Sequence, residues 1–278
     1  MERVTAPDGA SIALHSTGTG PGVVLVHGGG VTIEEYRRLI ARLSDRFTVH
    51  AYNRRGRLDA PARREPYSVE HEIDDLGAVL EHTGARYVIG HSYGGFVALR
   101  AALRLPIERL ALYDAALRID GTPDGTYLDD VDEALRAGKS ARAMAIVAAG
   151  VNTHSAVSRL PLSVRTAICR AFLRTPIGRR MGELLPMTLF ETRQVLAHEG
   201  SADAYAGVTA DVLLACGASA PGYFEEHHTK LARVIPRART MVVPGARHDA
   251  IAIAPARLVD PIAEFFAAPL TSLPTTPA

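Results

Sequence analysis

The chain has 278 residues, 47% hydrophobic and 22% charged, an ordinary balance for a folded globular protein. A formal net charge of +1 supplies no electrostatic footprint for nucleic acid, and no apolar run approaches the ~20 residues of a spanning helix, so neither nucleic acid nor membrane is an expected partner. Two cysteines far apart, Cys169 and Cys216, make neither a disulfide framework nor a metal cluster and read as small buried hydrophobes.

In chain order, SIALHSTGTGPG reads as an antiparallel edge strand running into a Gly/Pro turn. VVLVH, Val23 to His27, is a continuous apolar run that suits a central strand covered on both faces. IEEYRRLIARLSDRF carries Ile33, Tyr36, Leu39, Ile40 and Leu43 at helical spacing, and TVHAYN is the next strand. SVEHEIDDLGAVLEHTG reads as a helix capped by Ser68 and stopped by Gly84. The strand RYVIGH, a helix after Ser92 and the strand ERLALYD follow. The alternation resumes with DVLLACG, a helix near Phe224 to Val234, the strand RTMVVPG and a last helix from Pro255 to Phe266. Strand and helix alternating in this way imply right-handed crossovers and a mostly parallel sheet with helices on both faces, an α/β fold.

One interval breaks the rhythm. Between Asp114 and Asp211 no strand is apparent, although a crossover needs only about a dozen residues. Helical patterns fill it instead: YLDDVDEALRAG, ARAMAIVAAGV, SVRTAICRAFL and a stretch around Leu184 to Leu196, punctuated by Pro161, Pro176 and Pro186. The expected organisation is a core of residues 1–116 and 208–268, a helical insertion at 117–207 and a Pro/Thr-rich flexible tail at 269–278. The first residues lack the apolar stretch of an export signal, which makes the cytoplasm the default location. The pairs Arg54-Arg55 and Arg179-Arg180 read as scattered, solvated surface charge.

Gly90-His91-Ser92-Tyr93-Gly94 is a G-x-S-x-G pattern between a strand and a helix, the arrangement of a nucleophile elbow. Such a turn strains the serine backbone and tolerates only small neighbours, and it projects the hydroxyl above the sheet. His27-Gly28-Gly29-Gly30 follows the first central strand, where missing Cβ atoms let backbone N–H groups approach a substrate oxygen; alone it is equally a flexible turn. Paired with the elbow, it points to an oxyanion hole made by the N–H groups of Gly29 and Tyr93, with Gly28 and Gly30 beside the substrate.

With HGGG after one strand, NRRG (Asn53 to Gly56) after the next, GHSYGG, and PGARH before the last helix, the chain resembles the α/β-hydrolase superfamily. The resemblance covers Met1 to about Asp114 and about Ala210 to Phe266, and it implies that the insertion is a cap over the active site. Asn53 stands where the family usually has Asp, a departure at a turn. The resemblance makes His248, in PGARH, the catalytic base. His27 and His91 read as structural hydrogen-bonding groups, His227 and His228 as residues of a surface helix, and His154 and His198 as part of the cap.

The acid is harder to place. The family usually supplies it after the strand that here reads DVLLACG, but the loop GASAPGYF offers only Ala218, Ser219 and Ala220. Some members take it from the end of the preceding strand, which here ends in Asp114; the bland reading of Asp114 is a cap for the entry into the insertion. Glu225 or Glu226 reaching in, or a Ser–His dyad without acid, are the alternatives, and Asp249 adjoins His248 too closely for triad geometry. A triad of Ser92, His248 and Asp114 implies a serine hydrolase acting through an acyl-enzyme with no metal or organic cofactor. A serine elbow also argues against the dehalogenase and epoxide-hydrolase chemistry of look-alike enzymes, which place an aspartate there. The expected substrate is a small molecule: a carboxylic ester, lactone or thioester with an apolar acyl part, bound in part by Met144 and Val147 of MAIVAAGV. Acyl transfer, cyclisation or a lyase step on the same site, and a catalytically silent ligand-binding protein, are the rival readings. The sequence leaves the oligomeric state open.

Overall fold

The computed structural model describes residues 1–151 and 156–269. Eight strands form one sheet: β1 (Glu2–Thr5), β2 (Ser11–Thr17), β3 (Gly22–Val26), β4 (Thr48–Tyr52), β5 (Tyr87–His91), β6 (Arg109–Tyr113), β7 (Asp211–Gly217) and β8 (Ala238–Val243). Their order across the sheet is β1-β2-β4-β3-β5-β6-β7-β8, with β1 and β2 antiparallel to their neighbours and the rest parallel. The expected edge strand is therefore not at the edge. β1, a short strand with one buried residue, pairs with its outer side and was not legible as a strand.

Residues alternate along β3 between two cores, as the pleat requires. Val24 and Val26 face the cluster under α2 (Val69–Thr83), α3 (Tyr93–Ala101) and α9 (Tyr223–Val234). Val23 and Leu25 face the cluster under α1 (Arg37–Leu43), α10 (Ala250–Ile253) and α11 (Ala256–Ala267). Every residue of β6 and β7 is buried, which is why both strands read as apolar runs after a single charged residue, Arg109 or Asp211. The chain leaves β3 toward β4 on one side and β5 toward β6 on the other, so the carboxyl ends of β3 and β5 border the crevice where the winding reverses.

Among the described residues, five α-helices separate β6 from β7: α4 (Leu128–Arg136), α5 (Ser140–Val151), α6 (Leu162–Phe172), α7 (Pro176–Glu183) and α8 (Leu185–Ala197). They share a small core of their own that includes Leu128, Val131, Ile146 and Leu189. α7 was not foreseen because Pro176 read as a break. Proline instead occupies the helix's first turn, where its missing N–H costs nothing, and Thr175 caps it by accepting from Gly178 N–H at 3.0 Å. No described helix is long and apolar enough to cross a membrane. His154 and residues 270–278 of the expected tail lie outside the described residues.

Candidate active site

Ser92 joins β5 to α3 with φ 52° and ψ −122°, a backbone conformation that side chains rarely adopt and that costs about 1–3 kcal/mol. The flanking glycines make the turn possible. A Cβ on Gly94 would collide with the carbonyl oxygens of Val26 and His27, and one on Gly90 would lie 2.8 Å from the Gly95 Cα. Ser92 is held by the end of the neighbouring strand β6: its N–H donates to Tyr113 O at 3.1 Å, and its carbonyl accepts from Ala116 N–H at 2.9 Å.

Asp114 directly follows β6, with φ 44° and a fully buried side chain. One carboxylate oxygen, Oδ1, accepts from Gly217 N–H at 3.1 Å; the other, Oδ2, lies 3.0 Å from His248 Nδ1. This candidate acid thus stands at the end of β6 and is anchored by the end of β7, the strand whose own loop carries no carboxylate. Glu225 and Glu226 are exposed, and Glu226 pairs with Lys230 at 2.8 Å. Asp249 is exposed as well.

The His248 ring lies between two others. Phe224 stacks on it with centroids 5.2 Å apart and planes 7° from parallel, and His91 approaches to 4.7 Å. The backbone on either side is also fixed: Tyr113 OH donates to Arg247 O at 2.7 Å, and His91 Nε2 lies 3.1 Å from His248 O. His91 Nδ1 lies 2.5 Å from the Tyr36 hydroxyl, which accepts from Gly28 N–H at 2.9 Å. Burial, reinforced by the charge of His248, holds the His91 ring well below the ordinary histidine pKa. A neutral ring with its proton on Nε2 satisfies both contacts, and the relay ties the glycine loop after β3 to the histidine loop after β8.

Ser92, His248, Gly29 and Tyr93 line one cavity of about 190 Å³. Its remaining walls are mostly apolar: Ala116 and Leu117 after β6, Val151 from α5, Val195 and Leu196 from α8, and Phe224 from α9. The Ser92 hydroxyl makes no hydrogen bond to His248 among the described residues, a spacing common before substrate closes such a pair.

Several expected site residues have other work. Gly28 and Gly30 are not among the residues lining the cavity; Gly28 meets Tyr36, and Gly30 turns the loop at φ 64°. Met144 is buried within the insertion's own core with Val147 packed against it, so α5 reaches the cavity through Val151 instead. His227 and His228 are buried rather than on a surface, since Phe224, His227, His228 and Leu231 share the inward face of α9. Among the described residues neither ring has a hydrogen-bond partner, and burial lowers their pKa values to about 4 and about 3.

Arg54 and Arg55 are likewise buried, at 1% and 3% exposure. Arg55 pairs with Asp75 and Asp8. Arg54 lies behind the glycine loop: Nε donates to His27 O at 3.0 Å, Nη2 to Gly28 O at 2.9 Å, and its own N–H to His27 Nε2 at 3.0 Å. Its guanidinium sits over the Tyr93 ring and pairs with Glu72 at 2.6 Å and Glu191 at 2.9 Å. Glu191, on α8, also pairs with Arg57 and Arg63, so the insertion plugs a carboxylate into a cluster of core arginines. Burial alone would raise Glu191; Arg54 and Arg57 overcome it and hold the carboxyl below its ordinary pKa. The signal missed in the sequence was two arginines directly after a buried strand, with Glu72 and Asp75 three apart on α2 to receive them.

The profile of the alpha/beta hydrolase family matches residues 23–260. An uncharacterized hydrolase of Bacillus subtilis is 34% identical over 102 residues, which span 35% of this chain and 38% of that protein. The 2-(acetamidomethylene)succinate hydrolase of Mesorhizobium japonicum is 24% identical over 92% of this chain and 91% of its own length. Among solved structures, an alpha/beta hydrolase from Sphaerobacter thermophilus superposes with a TM-score of 0.76 at 28% identity, covering 95% of this chain and all of that one.

Proposed function

Because the chain belongs to the alpha/beta hydrolase family, we propose that it is a serine hydrolase whose triad is Ser92, His248 and Asp114. The observation that carries the reading is the buried Asp114 carboxylate, tied to Gly217 N–H through one oxygen and 3.0 Å from His248 Nδ1 through the other. That contact keeps the ring's proton on Nδ1 and leaves Nε2 free to act as a base.

In the first half-reaction His248 takes the Ser92 proton as the hydroxyl oxygen attacks the substrate carbonyl carbon. The N–H groups of Gly29 and Tyr93, which no described residue occupies, receive the oxyanion. The imidazolium, stabilised by Asp114, returns its proton to the departing alcohol or thiol, and the C–O or C–S bond breaks. Water then attacks the acyl-enzyme with His248 again as base, releasing the carboxylic acid and restoring Ser92.

The apolar cavity walls suit an ester, lactone or thioester with an apolar acyl part. At about 190 Å³ the cavity is below the roughly 300–1,000 Å³ that holds drug-sized ligands, so the acyl group is short to medium. The hydrolase name of the Mesorhizobium relative supports cleavage by water over transfer to another acceptor. A panel of p-nitrophenyl esters of increasing chain length, run in ¹⁸O-water, tests both points. Turnover with solvent oxygen in the acid product, abolished in Ser92→Ala, is expected; turnover without ¹⁸O, or full activity in Ser92→Ala, refutes the assignment.

A further inference from the structure

The arginines that hold the Glu191 plug use only one of its two oxygens. Arg54, Arg57 and Arg63 all reach Oε1. Oε2 has no hydrogen-bond partner among the described residues, in a side chain only 1% exposed. A buried, ionised oxygen left unpaired is costly. Glu191 also lines the Ser92 cavity, so the donor that Oε2 lacks is one that enters that cavity.

Oε2 stands beside the two residues assigned to the oxyanion. The Cβ position that Gly29 leaves empty is 2.9 Å from Oε2 and 3.9 Å from the Tyr93 Cβ. Two hydroxyls on the same face of α8 repeat the pattern, for Thr188 and Thr192 also line the cavity. Thr188 Oγ1 donates to Leu184 O at 3.0 Å and Thr192 Oγ1 to Thr188 O at 2.9 Å. With its hydrogen committed to the backbone, each hydroxyl offers a ligand only lone pairs. α8 thus turns acceptors at positions i, i+3 and i+4 toward the cavity. Charge decides which donor suits them. Arg54, Arg57 and Arg63 outnumber Glu72 and Glu191, which leaves this cluster net positive. That balance disfavours an ammonium and suits a neutral hydroxyl or amide N–H, and it keeps the carboxylate from opposing an oxyanion nearby.

We propose that Glu191 determines specificity, its Oε2 accepting a hydrogen bond from a hydroxyl or amide N–H that the substrate carries one or two carbons from the scissile carbonyl. The carbonyl oxygen meets the N–H groups of Gly29 and Tyr93 while the donor turns to Oε2 beside them, and the apolar walls take the rest of the acyl chain. The proposal rests on the serine-hydrolase reading for where the carbonyl lies. It narrows the substrate from an apolar acyl ester to one with a single neutral donor close to the reacting carbon.

p-Nitrophenyl butanoate, its 2-hydroxy and 3-hydroxy derivatives and their methoxy counterparts test it, because a methoxy group keeps the oxygen and removes the donor. With each rate corrected for the ester's reactivity in alkali, the better hydroxy ester should exceed its methoxy counterpart by about 10- to 100-fold in kcat/KM, the range of one hydrogen bond to a buried charge. In Glu191→Gln the three arginines keep the amide oxygen in the place of Oε1, which puts NH₂ in the place of Oε2. The hydroxy preference should then vanish and the methoxy ester gain on its partner, whereas loss of a mere plug would slow every ester by one factor. Dissociation constants of the same esters for Ser92→Ala, from ligand-observed NMR, read the preference without turnover and without a change at Glu191. A hydroxy preference in binding with no turnover by the wild-type protein would sink the hydrolase reading and leave this subsite standing. Turnover or binding without that preference, or a preference that folded Glu191→Gln keeps, would overturn the proposal alone; neither turnover nor binding of any ester would overturn both.

Discussion

Replacing Asp114 by asparagine keeps the side chain's shape and removes its charge. Gly217 N–H, 3.1 Å from Oδ1, dictates which way the new amide points. The amide oxygen must stay opposite that donor, because turning the NH₂ toward it would face two donors across a buried contact. The NH₂ then meets His248 Nδ1 at about the 3.0 Å the carboxylate now holds. A ring that accepts at Nδ1 carries its proton on Nε2, the atom that takes the proton of Ser92 in the proposed mechanism. The variant is therefore frozen in the wrong tautomer and also loses the charge that stabilises the imidazolium. A loss of about 10⁴ in kcat, about 5 kcal/mol of transition-state stabilisation, is expected. KM should change little, because Asp114 is not among the residues lining the cavity. Steady-state kinetics on a p-nitrophenyl ester beside Ser92→Ala gives the answer. A loss under tenfold in folded protein would refute the reasoning and hand the orienting role to another group.

Glu191→Ala should cost about 3–5 kcal/mol in urea unfolding, since it leaves Arg54 and Arg57 buried beside too little negative charge; a loss below about 1 kcal/mol would mean the plug is dispensable. Gly94→Ala should give insoluble or inactive protein, because its Cβ overlaps the Val26 and His27 carbonyls, and soluble protein of wild-type activity would contradict that geometry. His227 and His228 bind protons more readily in the unfolded chain, so stability should fall as pH drops below about 6.5 and keep falling to about 4 for His227 and about 3 for His228. Between pH 6.5 and 5 the pair should lose about 3 kcal/mol, and replacing both by leucine should flatten urea-unfolding free energies across that window.

What was legible in the sequence was what local pattern determines. β3, β6 and β7 announced themselves because burial on both faces leaves no polar alternation, and the elbow because its two glycines are sterically obligatory. β1 was not, as four mostly exposed residues acquire strand structure only from their partner β2. The burial of Arg54, Arg55, His227 and His228 was hidden for the same reason: polarity argues for solvent, and only the fold brings Glu72, Asp75 and Glu191 to the arginines. Asp114 was placed by its strand end, but its anchor on Gly217 depends on β6 and β7 being neighbours. Met144 and Val147 show the converse limit, since an apolar helix face does not say which apolar surface it meets.

The account turns on Ser92 being an alkoxide-competent nucleophile that His248 activates. Treatment with a fluorophosphonate, followed by intact-mass spectrometry and peptide mapping, reads this without knowledge of the substrate. One phosphonyl adduct on Ser92, absent or far slower in His248→Ala, is the predicted result. An unmodified serine in folded wild-type protein, or labelling of equal rate when His248 is gone, would contradict it.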